Sequence, residues 1–339
     1  MSNKINIGNL NVSSCYLGSG DTRLYLGSNL VYPLEVALRL TIETDNGTVA
    51  SAPCNGNATI RKSDVESLIP SGENIVSAEV GSCISAIEGL FSGFTDFTTL
   101  ETVVLNEGLH SIGIGGFSGC TSLSNINFPS TLTSIGGYAF DNCGSLTSIT
   151  VPSGATSIGT GAFQRCSGLT SVTFEADSQL TTLGDRVFAS ATSITSVDVP
   201  SGVTSVDDYT FEHCYSLTSV TIPSGVTDLG SGVFSHCSGL THVDLPSGIP
   251  RCENSLFDHC SSLTSVTIPS GVTSIGTYVF YQCTSLQSIT CLAPTPPTLG
   301  NYSLMGTNGC NIYVPSESVE AYQTANRWSE YASRIQAIP

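Results

Sequence analysis

Apolar positions along this chain repeat every 23 residues over more than half of its length. A phenylalanine column, a leucine or isoleucine column and an isoleucine or valine column all keep this step, apart from one step of 25. Cysteine follows phenylalanine by three residues in nearly every repeat. A fixed period of this length predicts a solenoid, in which each unit buries its apolar face only against its neighbours. The phenylalanine column is Phe117, Phe140, Phe163, Phe188, Phe211, Phe234, Phe257 and Phe280.

Each repeat begins with apolar residues that alternate with serine and threonine. In the unit 217–239 this stretch runs from Leu217 to Ile222, and it predicts a short strand with one face in the core. The Pro-Ser-Gly turn at 223–225 closes the strand, because proline cannot donate to a continuing ladder. Two further inward pairs follow, Val226 with Leu229 and Val233 with Phe234.

The repeats divide the chain into four parts. We expect an attachment segment at 1–34, an N-terminal cap with a β-hairpin at 35–99, the repeat array at 100–290 and a C-terminal cap at 291–339. The array extends upstream in degraded form, where Phe94 and Phe97 lie one period before Phe117 and Cys120. Terminal repeats are commonly atypical because they cap the core.

The N-terminal part predicts strands and turns. The segment 1–34 contains a short duplication, Tyr16 to Ser19 and Tyr25 to Ser28, which is typical of strand, tight turn and strand. Next, Leu38 to Ile42 and Thr48 to Ala52 flank Asp-Asn-Gly, which predicts a hairpin. A short helix from Ser63 to Leu68 is also expected.

The repeat resembles the BspA-like leucine-rich repeats, most clearly in CSSLTSVTIPSGVTSIGTYVFYQC from Cys260 to Cys283. The tail, with TPPTL at 295–299 and IYVP at 312–315, resembles the closing segment found after these repeats in Bacteroidetes and their phages. The tandem YLGS segments resemble the start of phage tail or fibre proteins. The expected fold class is therefore a β-rich leucine-rich-repeat solenoid, a parallel strand ladder, with a small N-terminal β module and an α/β C-terminal cap.

In that cap, Ser316 is expected to begin a helix that places Val319 and Tyr322 on one face. A second apolar stripe is formed by Trp328, Tyr331 and Ile335. Both would cover the last exposed repeat.

The cysteine column predicts packing rather than cross-linking. Seven of the 13 cysteines fall in it, and its missing member is Ala191. Adjacent rungs of a ladder lie about 4.8 Å apart, whereas a disulfide needs Cβ atoms about 3.8 Å apart. We therefore expect buried reduced thiols, and the lack of any C-x-x-C pair argues against a thiolate metal site.

Composition excludes several function classes. Acids outnumber bases by 27 to 10, and a net charge of -17 disfavours nucleic acid and anionic lipid surfaces. The first 16 residues lack the apolar stretch of a secretory signal, and no segment predicts membrane insertion. No nucleophile has a base at a motif spacing and no phosphate loop is present, so we expect no enzyme and no cofactor.

Departures from serine and threonine on the outward strand positions are the candidate ligand-binding residues. Extended repeat surfaces bind partners in this way, although repeat drift is the simpler explanation of the departures. Tyrosines on the turn side can stack on sugars or fill the edge of a rung. The candidates on the strands are Asn125, Asn127, Asp198, His242 and Asp244, and the tyrosines are Tyr138, Tyr209, Tyr278 and Tyr281.

Three histidines occupy one column, just before the cysteines. His213, His236 and His259 are expected to stack and are weak candidates for a Zn²⁺ or Ni²⁺ site with Glu212 or Asp258. The same column elsewhere holds asparagine, arginine, serine and glutamine, which favours a solvated turn. No metal site is therefore expected.

The function that these patterns favour is a phage virion protein, a tail or fibre component. Residues 1–34 would attach it to other virion proteins, and the array would bind a host-surface glycan or protein. The alternative is a secreted or surface-anchored bacterial BspA-like adhesin. A homo-oligomer is possible in either case.

Overall fold

Two parallel strand ladders run the length of the array. The computed structural model describes residues 15–17, 23–26, 29–33, 39–45, 49–53, 58–61, 74–81, 84–88 and 98–339. Each repeat adds one strand of two to four residues to the long-strand ladder and one strand of two residues to the short-strand ladder. The predicted parallel solenoid is thereby confirmed.

Where neighbouring strands of the array pair, they are offset by one full repeat, as with Val220, which faces Val197 on one side and Val243 on the other. Steps without strand pairing divide each ladder into shorter sheets. The long-strand ladder contains β7 (Ile75–Val80), β9 (Thr102–Leu105), β11 (Asn125–Asn127), β13 (Ser148–Val151), β15 (Ser171–Phe174), β17 (Ser196–Asp198), β19 (Ser219–Thr221), β21 (His242–Val243), β23 (Ser265–Ile268), β25 (Ser288–Cys291) and β27 (Asn311–Val314). The short-strand ladder contains β6 (Ala58–Arg61), β8 (Ile84–Glu88), β10 (Ser111–Ile112), β12 (Ser134–Ile135), β14 (Ser157–Ile158), β16 (Thr182–Leu183), β18 (Ser205–Val206), β20 (Asp228–Leu229), β22 (Arg251–Cys252), β24 (Ser274–Ile275) and β26 (Thr298–Leu299).

A stack of phenylalanine rings forms the centre of the core. The rings from Phe117 to Phe280 are fully buried. Neighbouring rings lie 5.1 to 5.8 Å apart, with planes within 12° of parallel. The third side of each repeat, the turn edge, connects a short strand to the next long strand. Its backbone also bonds from repeat to repeat, as where the Phe211 N–H donates to the Val233 carbonyl at 3.0 Å.

The predicted burial of the cysteine column is confirmed. Ten cysteines in the described residues are buried. Six thiols of the column donate to the phenylalanine carbonyl of the preceding repeat at 3.0 to 3.2 Å, as in Cys237 to Phe211. The thiol therefore adds one more inter-repeat hydrogen bond to each rung.

At its N-terminal end the long-strand ladder is continued by an antiparallel hairpin. Strand β4 (Arg39–Thr44) pairs antiparallel with β5 (Val49–Pro53) and with β7. The strands β1 (Cys15–Leu17), β2 (Arg23–Leu26) and β3 (Asn29–Pro33) form a separate antiparallel sheet. The helix predicted at Ser63 to Leu68 and the residues Phe94 and Phe97 lie outside the described residues.

The C-terminal cap differs from the prediction at two residues. The helix α1 (Val319–Thr324) is preceded by a 3-10 turn, η1 (Ser316–Ser318), so Ser316 lies inside a turn and does not cap the helix. A second 3-10 helix, η2 (Trp328–Arg334), ends before Ile335. Ile335 instead begins β28 (Ile335–Ala337), which pairs parallel with β27, because the backbone of β27 would otherwise be an open edge.

The buried faces of the cap are as expected. Tyr322 and Trp328 are buried, and Val319 and Tyr331 pack partly against the core. None of the helices in the described part of the chain has the length and apolar character that crossing a bilayer requires.

Candidate functional site

The outward side of the long-strand ladder forms a polar surface, the long-strand face. On the strands of the array the middle residue is buried and its neighbours point away from the core, as in Asn125–Asn127 and Ser196–Asp198. The face carries mostly serine and threonine, because a two-residue period sends every second side chain outward. It is therefore a row of short polar side chains held on a rigid backbone.

All five candidate residues on this face are exposed. Among the described residues, no side-chain hydrogen bond involves Asn125, Asn127 or Asp198. His242 Nε2 lies 3.1 Å from Asp244 Oδ1, and these side chains are 59% and 92% exposed. Since the pair is so open to solvent, it contributes little to stability. None of the five side chains is needed to hold the fold together.

The structure brings these residues onto one face but divides them into two groups. Asp198 pairs with Thr221, and the next residue in that column is Asp244, so two rungs of about 4.8 Å place the two aspartates about 10 Å apart. Asn127 lies three rungs before Asp198, about 14 Å away. A ligand that spans three rungs therefore contacts the aspartates and His242, but not the asparagines.

The tyrosines lie on the turn edge and pack against the following repeat. Tyr138 lies over Gly161 and Tyr209 over Gly232, where a side chain on the glycine would collide with the ring. Arg186 stands over the Tyr209 ring at 4.5 Å, within the range of a cation–π contact. These tyrosines fill the edge of the rung.

At the C-terminal end of the turn edge the tyrosines form an exposed cluster. Tyr278 stacks on Tyr302 at 5.4 Å and meets Tyr281 edge-on at 5.3 Å. The Tyr281 ring in turn meets His259 at 5.4 Å. Tyr302, which the repeat pattern did not single out, completes a row of aromatic rings that continues into the histidine column.

The predicted stacking of the histidine column is confirmed. The rings of His213 and His236 lie 4.5 Å apart, and those of His236 and His259 are also 4.5 Å apart. Carboxylates flank the column: His259 Nδ1 is 2.6 Å from Asp258 Oδ1, and His213 Nε2 is 3.9 Å from Glu212 Oε1. Partial burial lowers the pKa of His236, and the two neighbouring imidazoles lower it further.

Two polar features of the array were missed by the sequence analysis. Threonine hydroxyls donate to the carbonyl one repeat earlier, as from Thr241 to Thr218 at 3.2 Å, and the regular threonine columns were the signal for this ladder. Arg165 belongs to the same column as the histidines, but it forms an ion pair with the buried Asp141. That column is therefore not uniformly solvated.

An open cleft between the last repeat and the cap was also missed, since it depends on how distant segments pack. Asn301, Tyr302, Arg327 and Arg334 contribute to its lining. Both arginines are engaged: Arg327 bonds to Asn301, and Arg334 donates to the Cys310 carbonyl at 2.7 Å. The two arginines that line the cleft therefore bond the cap to the last repeat.

Several solved bacterial proteins are similar to this chain. The chain is similar to a leucine-rich repeat protein from Bacteroides ovatus, with 21% identity, 88% of this chain and 98% of that chain covered and a TM-score of 0.42. It is also similar to a leucine rich cell surface protein from Faecalibacterium prausnitzii, with 19% identity, 94% and 97% coverage and a TM-score of 0.38. For the pneumococcal vaccine antigen PcpA the identity is 17%, the coverage 77% of both chains and the TM-score 0.43.

A search of the curated proteins gives no match. The family described as the BspA type leucine rich repeat region matches in six copies, over residues 91–218 and 204–330. Because these matches span most of the chain, the protein belongs to the BspA-type leucine-rich repeat family.

Proposed function

We propose that this protein is an adhesin-type recognition protein that acts at or beyond a bacterial surface and binds its ligand through the long-strand face. One observation carries the proposal: the face is exposed over most of the array, and the side chains of its candidate residues make no contact on which the fold depends. Asp198, His242 and Asp244 are exposed there on closely spaced rungs. The protein is proposed to act by binding alone, without catalysis or a cofactor.

The chemistry of the face indicates a polar ligand. Serine and threonine hydroxyls both donate and accept hydrogen bonds, and they line the strands around the two aspartates. Two carboxylates about 10 Å apart suit the hydroxyl groups of a glycan or the basic side chains of a protein. Since the scaffold is a rigid ladder, binding does not require these strands to become ordered.

The family favours this proposal over a phage tail or fibre component. The family match begins at residue 91, so the tandem YLGS segments at 16–19 and 25–28 lie outside it. The family match therefore gives no support to attachment to a virion through those segments. The BspA-like adhesin, which was the alternative at the level of sequence, is the better supported function.

Binding is tested with the double variant Asp198→Ser/Asp244→Ser, which restores a small hydroxyl side chain at both positions. Labelled protein is applied to a glycan array and to a panel of immobilised extracellular-matrix proteins. We expect the variant to lose roughly tenfold or more in affinity, equivalent to about 1.4 kcal/mol, for whichever surface binds the unaltered protein.

The matched control is Asp228→Ser, which removes an exposed aspartate from the short-strand ladder instead. This control is expected to bind like the unaltered protein. If the double variant binds as tightly as the control, the long-strand face is not the binding surface.

Location is tested by immunogold electron microscopy with antibody to residues 100–290, on intact producing cells and on purified phage particles from the same host. We expect label on the cell envelope. Label on the particles instead would replace the adhesin with a virion appendage.

A further inference from the structure

The histidine column places three imidazoles in register on the turn edge. The backbone imposes this spacing, because the His236 N–H donates to the Asp258 carbonyl and the His259 N–H to the Tyr281 carbonyl, both at 2.7 Å. The rings consequently stack at 4.5 Å from repeat to repeat. Their positions are therefore set by the ladder before any ligand arrives.

A carboxylate lies beside two of these imidazoles. One donor atom each of His236, Asp258 and His259 lies within 4.8 Å of the other two. The Asp258 and His259 side chains are 19% and 44% exposed, so the group is shielded on one side and open to solvent on the other. Two nitrogens and one carboxylate oxygen thus converge at the surface of a rigid element.

The fold itself does not require histidine at these positions. The backbone in this column is left-handed, with φ between 57° and 60° at the three histidines. Asn142, Arg165, Ser190 and Gln282 adopt the same conformation, with φ between 58° and 61°. The turn conformation therefore does not explain why three neighbouring repeats all have histidine at this position.

We propose that His236, Asp258 and His259 bind one divalent transition-metal ion of the zinc class. Imidazole nitrogen and carboxylate oxygen are preferred Zn²⁺ ligands, with bonds of about 2.0 to 2.2 Å. Tetrahedral donors at that bond length lie about 3.4 Å apart, so each distance between donor atoms has to change by about 1.4 Å or less, which side-chain rotation supplies. Water occupies the remaining coordination position.

The donor set discriminates among metal ions. Calcium and magnesium prefer oxygen ligands throughout, and here two of the three donors are nitrogen. Ten cysteines whose side chains the structure describes do not compete, because they are buried and six of the column donate to phenylalanine carbonyls. The net charge of -17 also raises the local concentration of cations around the protein.

His213 supplies an internal control. It stacks on His236, but its near carboxylate is Glu212 at 3.9 Å, and it lies outside the converging group. Asparagine is the substitution of choice at all three histidines, because Asn142 already occupies this left-handed position. Folding of each variant is checked by its circular dichroism and its midpoint of urea unfolding.

The test is calorimetric titration of the full chain, without an affinity tag, with ZnCl₂. We expect one ion per chain, an affinity loss of roughly tenfold or more in His236→Asn and His259→Asn, and unchanged affinity in His213→Asn. His242→Asn, which removes an exposed imidazole from the long-strand face, is expected to bind zinc normally. Titration with Co²⁺ should give ligand-field absorption without a thiolate charge-transfer band.

Several outcomes would overturn the site. These are the absence of saturable zinc binding, a thiolate band with Co²⁺, full affinity in His236→Asn or His259→Asn, or loss in His213→Asn with His259→Asn unaffected. The variant Asp198→Ser/Asp244→Ser should bind zinc normally. Failure of the ligand-binding proposal would therefore leave the metal proposal standing, and the reverse also holds.

Discussion

The cysteine side chain has a structural role in this array that its reactivity would not suggest. Burial raises the pKa of Cys120, Cys214, Cys252 and Cys283 to about 12, and it raises the pKa of Cys237 and Cys260 as well. The thiols therefore remain protonated and continue to donate their hydrogen bonds at any physiological pH. Ala191 shows that a rung folds without the thiol.

These raised pKa values predict alkaline destabilisation. Thiols of the unfolded chain lose their protons near pH 8.5, whereas the folded thiols keep theirs, so the unfolded state binds fewer protons above that pH. The contribution of the protonated thiols to the free energy of unfolding is fully present below about pH 8.5. It falls as the pH rises toward 12, by up to about 1.4 kcal/mol per pH unit for each thiol. We expect the midpoint of urea unfolding to decrease steadily between pH 8 and pH 10.5.

The variant Cys237→Ala/Cys260→Ala isolates the thiol contribution, since Ala191 occupies the same column. Its unfolding midpoint should fall less steeply with pH, while tyrosine ionisation affects both proteins alike. Parallel curves for the variant and the unaltered protein would show that the thiols do not cause the alkaline loss.

The burial and contacts of a residue could be predicted from the sequence where that residue follows the repeat pattern. Burial of the Phe and Cys columns and stacking of the histidines follow from periodicity alone, since equivalent residues of neighbouring rungs must meet. The ion pair of Arg165 with Asp141 and the contact of Arg186 with Tyr209 arise where a repeat departs from its neighbours. Contacts of that kind depend on local geometry that the period does not specify.

Among the elements, the C-terminal cap docks on the last repeats through two buried aromatic residues as well as through β28. The buried Tyr322 donates its hydroxyl to the Ala293 carbonyl at 2.8 Å and meets the Trp328 ring edge-on at 5.1 Å. The Trp328 indole donates to the Pro297 carbonyl at 2.7 Å. Trp328 is the single tryptophan of the chain, so its fluorescence reports the cap alone.

Tyr322→Ala should release the cap before the array unfolds. Removing a buried aromatic ring costs about 3 to 5 kcal/mol, and here the loss falls on the contacts between α1, η2 and the last repeats. In a urea titration, Trp328 emission should shift to the red at a lower concentration than the loss of circular dichroism. Tyr215→Ala, which removes a tyrosine that is 48% exposed and lies in the array away from the cap, should leave the two transitions as they are in the unaltered protein.

The opposite result would be a single transition in Tyr322→Ala, in which fluorescence and circular dichroism change together. The cap and the array would then unfold as one cooperative unit, and the cap would not be an independently docking element.

The cap was also where the sequence predicted least. Apolar spacing identified the buried faces of Tyr322 and Trp328 correctly, because it reports which side of an element meets the core. It gave no reason for Ile335 to leave the helical pattern and join β27 as a strand. Ile335 pairs with β27 because that strand would otherwise be an open edge, and the edge exists only once the array has folded.

For the whole molecule, stability is close to a sum over repeats and the interfaces between neighbours. Deletion of residues 261–283 removes one complete period and joins Cys260 to Thr284, which follows the same column position. We expect this protein to keep the circular dichroism of the full chain and to unfold cooperatively, because every column remains in register.

Deletion of residues 261–272 is the matched control, since it removes about half a period and moves the following columns out of register. This protein should lose ordered structure or aggregate. Equal tolerance of the two deletions would mean that the array does not depend on alignment of its columns.

The long-strand ladder ends in the hairpin β4–β5 on one side and in β28 on the other. Gain or loss of one repeat consequently changes the distance between these two ends by about 4.8 Å. Neither the hairpin β4–β5 nor β28 needs to change when a repeat is gained or lost. Duplication of a single repeat therefore lengthens the array by one rung and leaves the elements at its two ends unchanged.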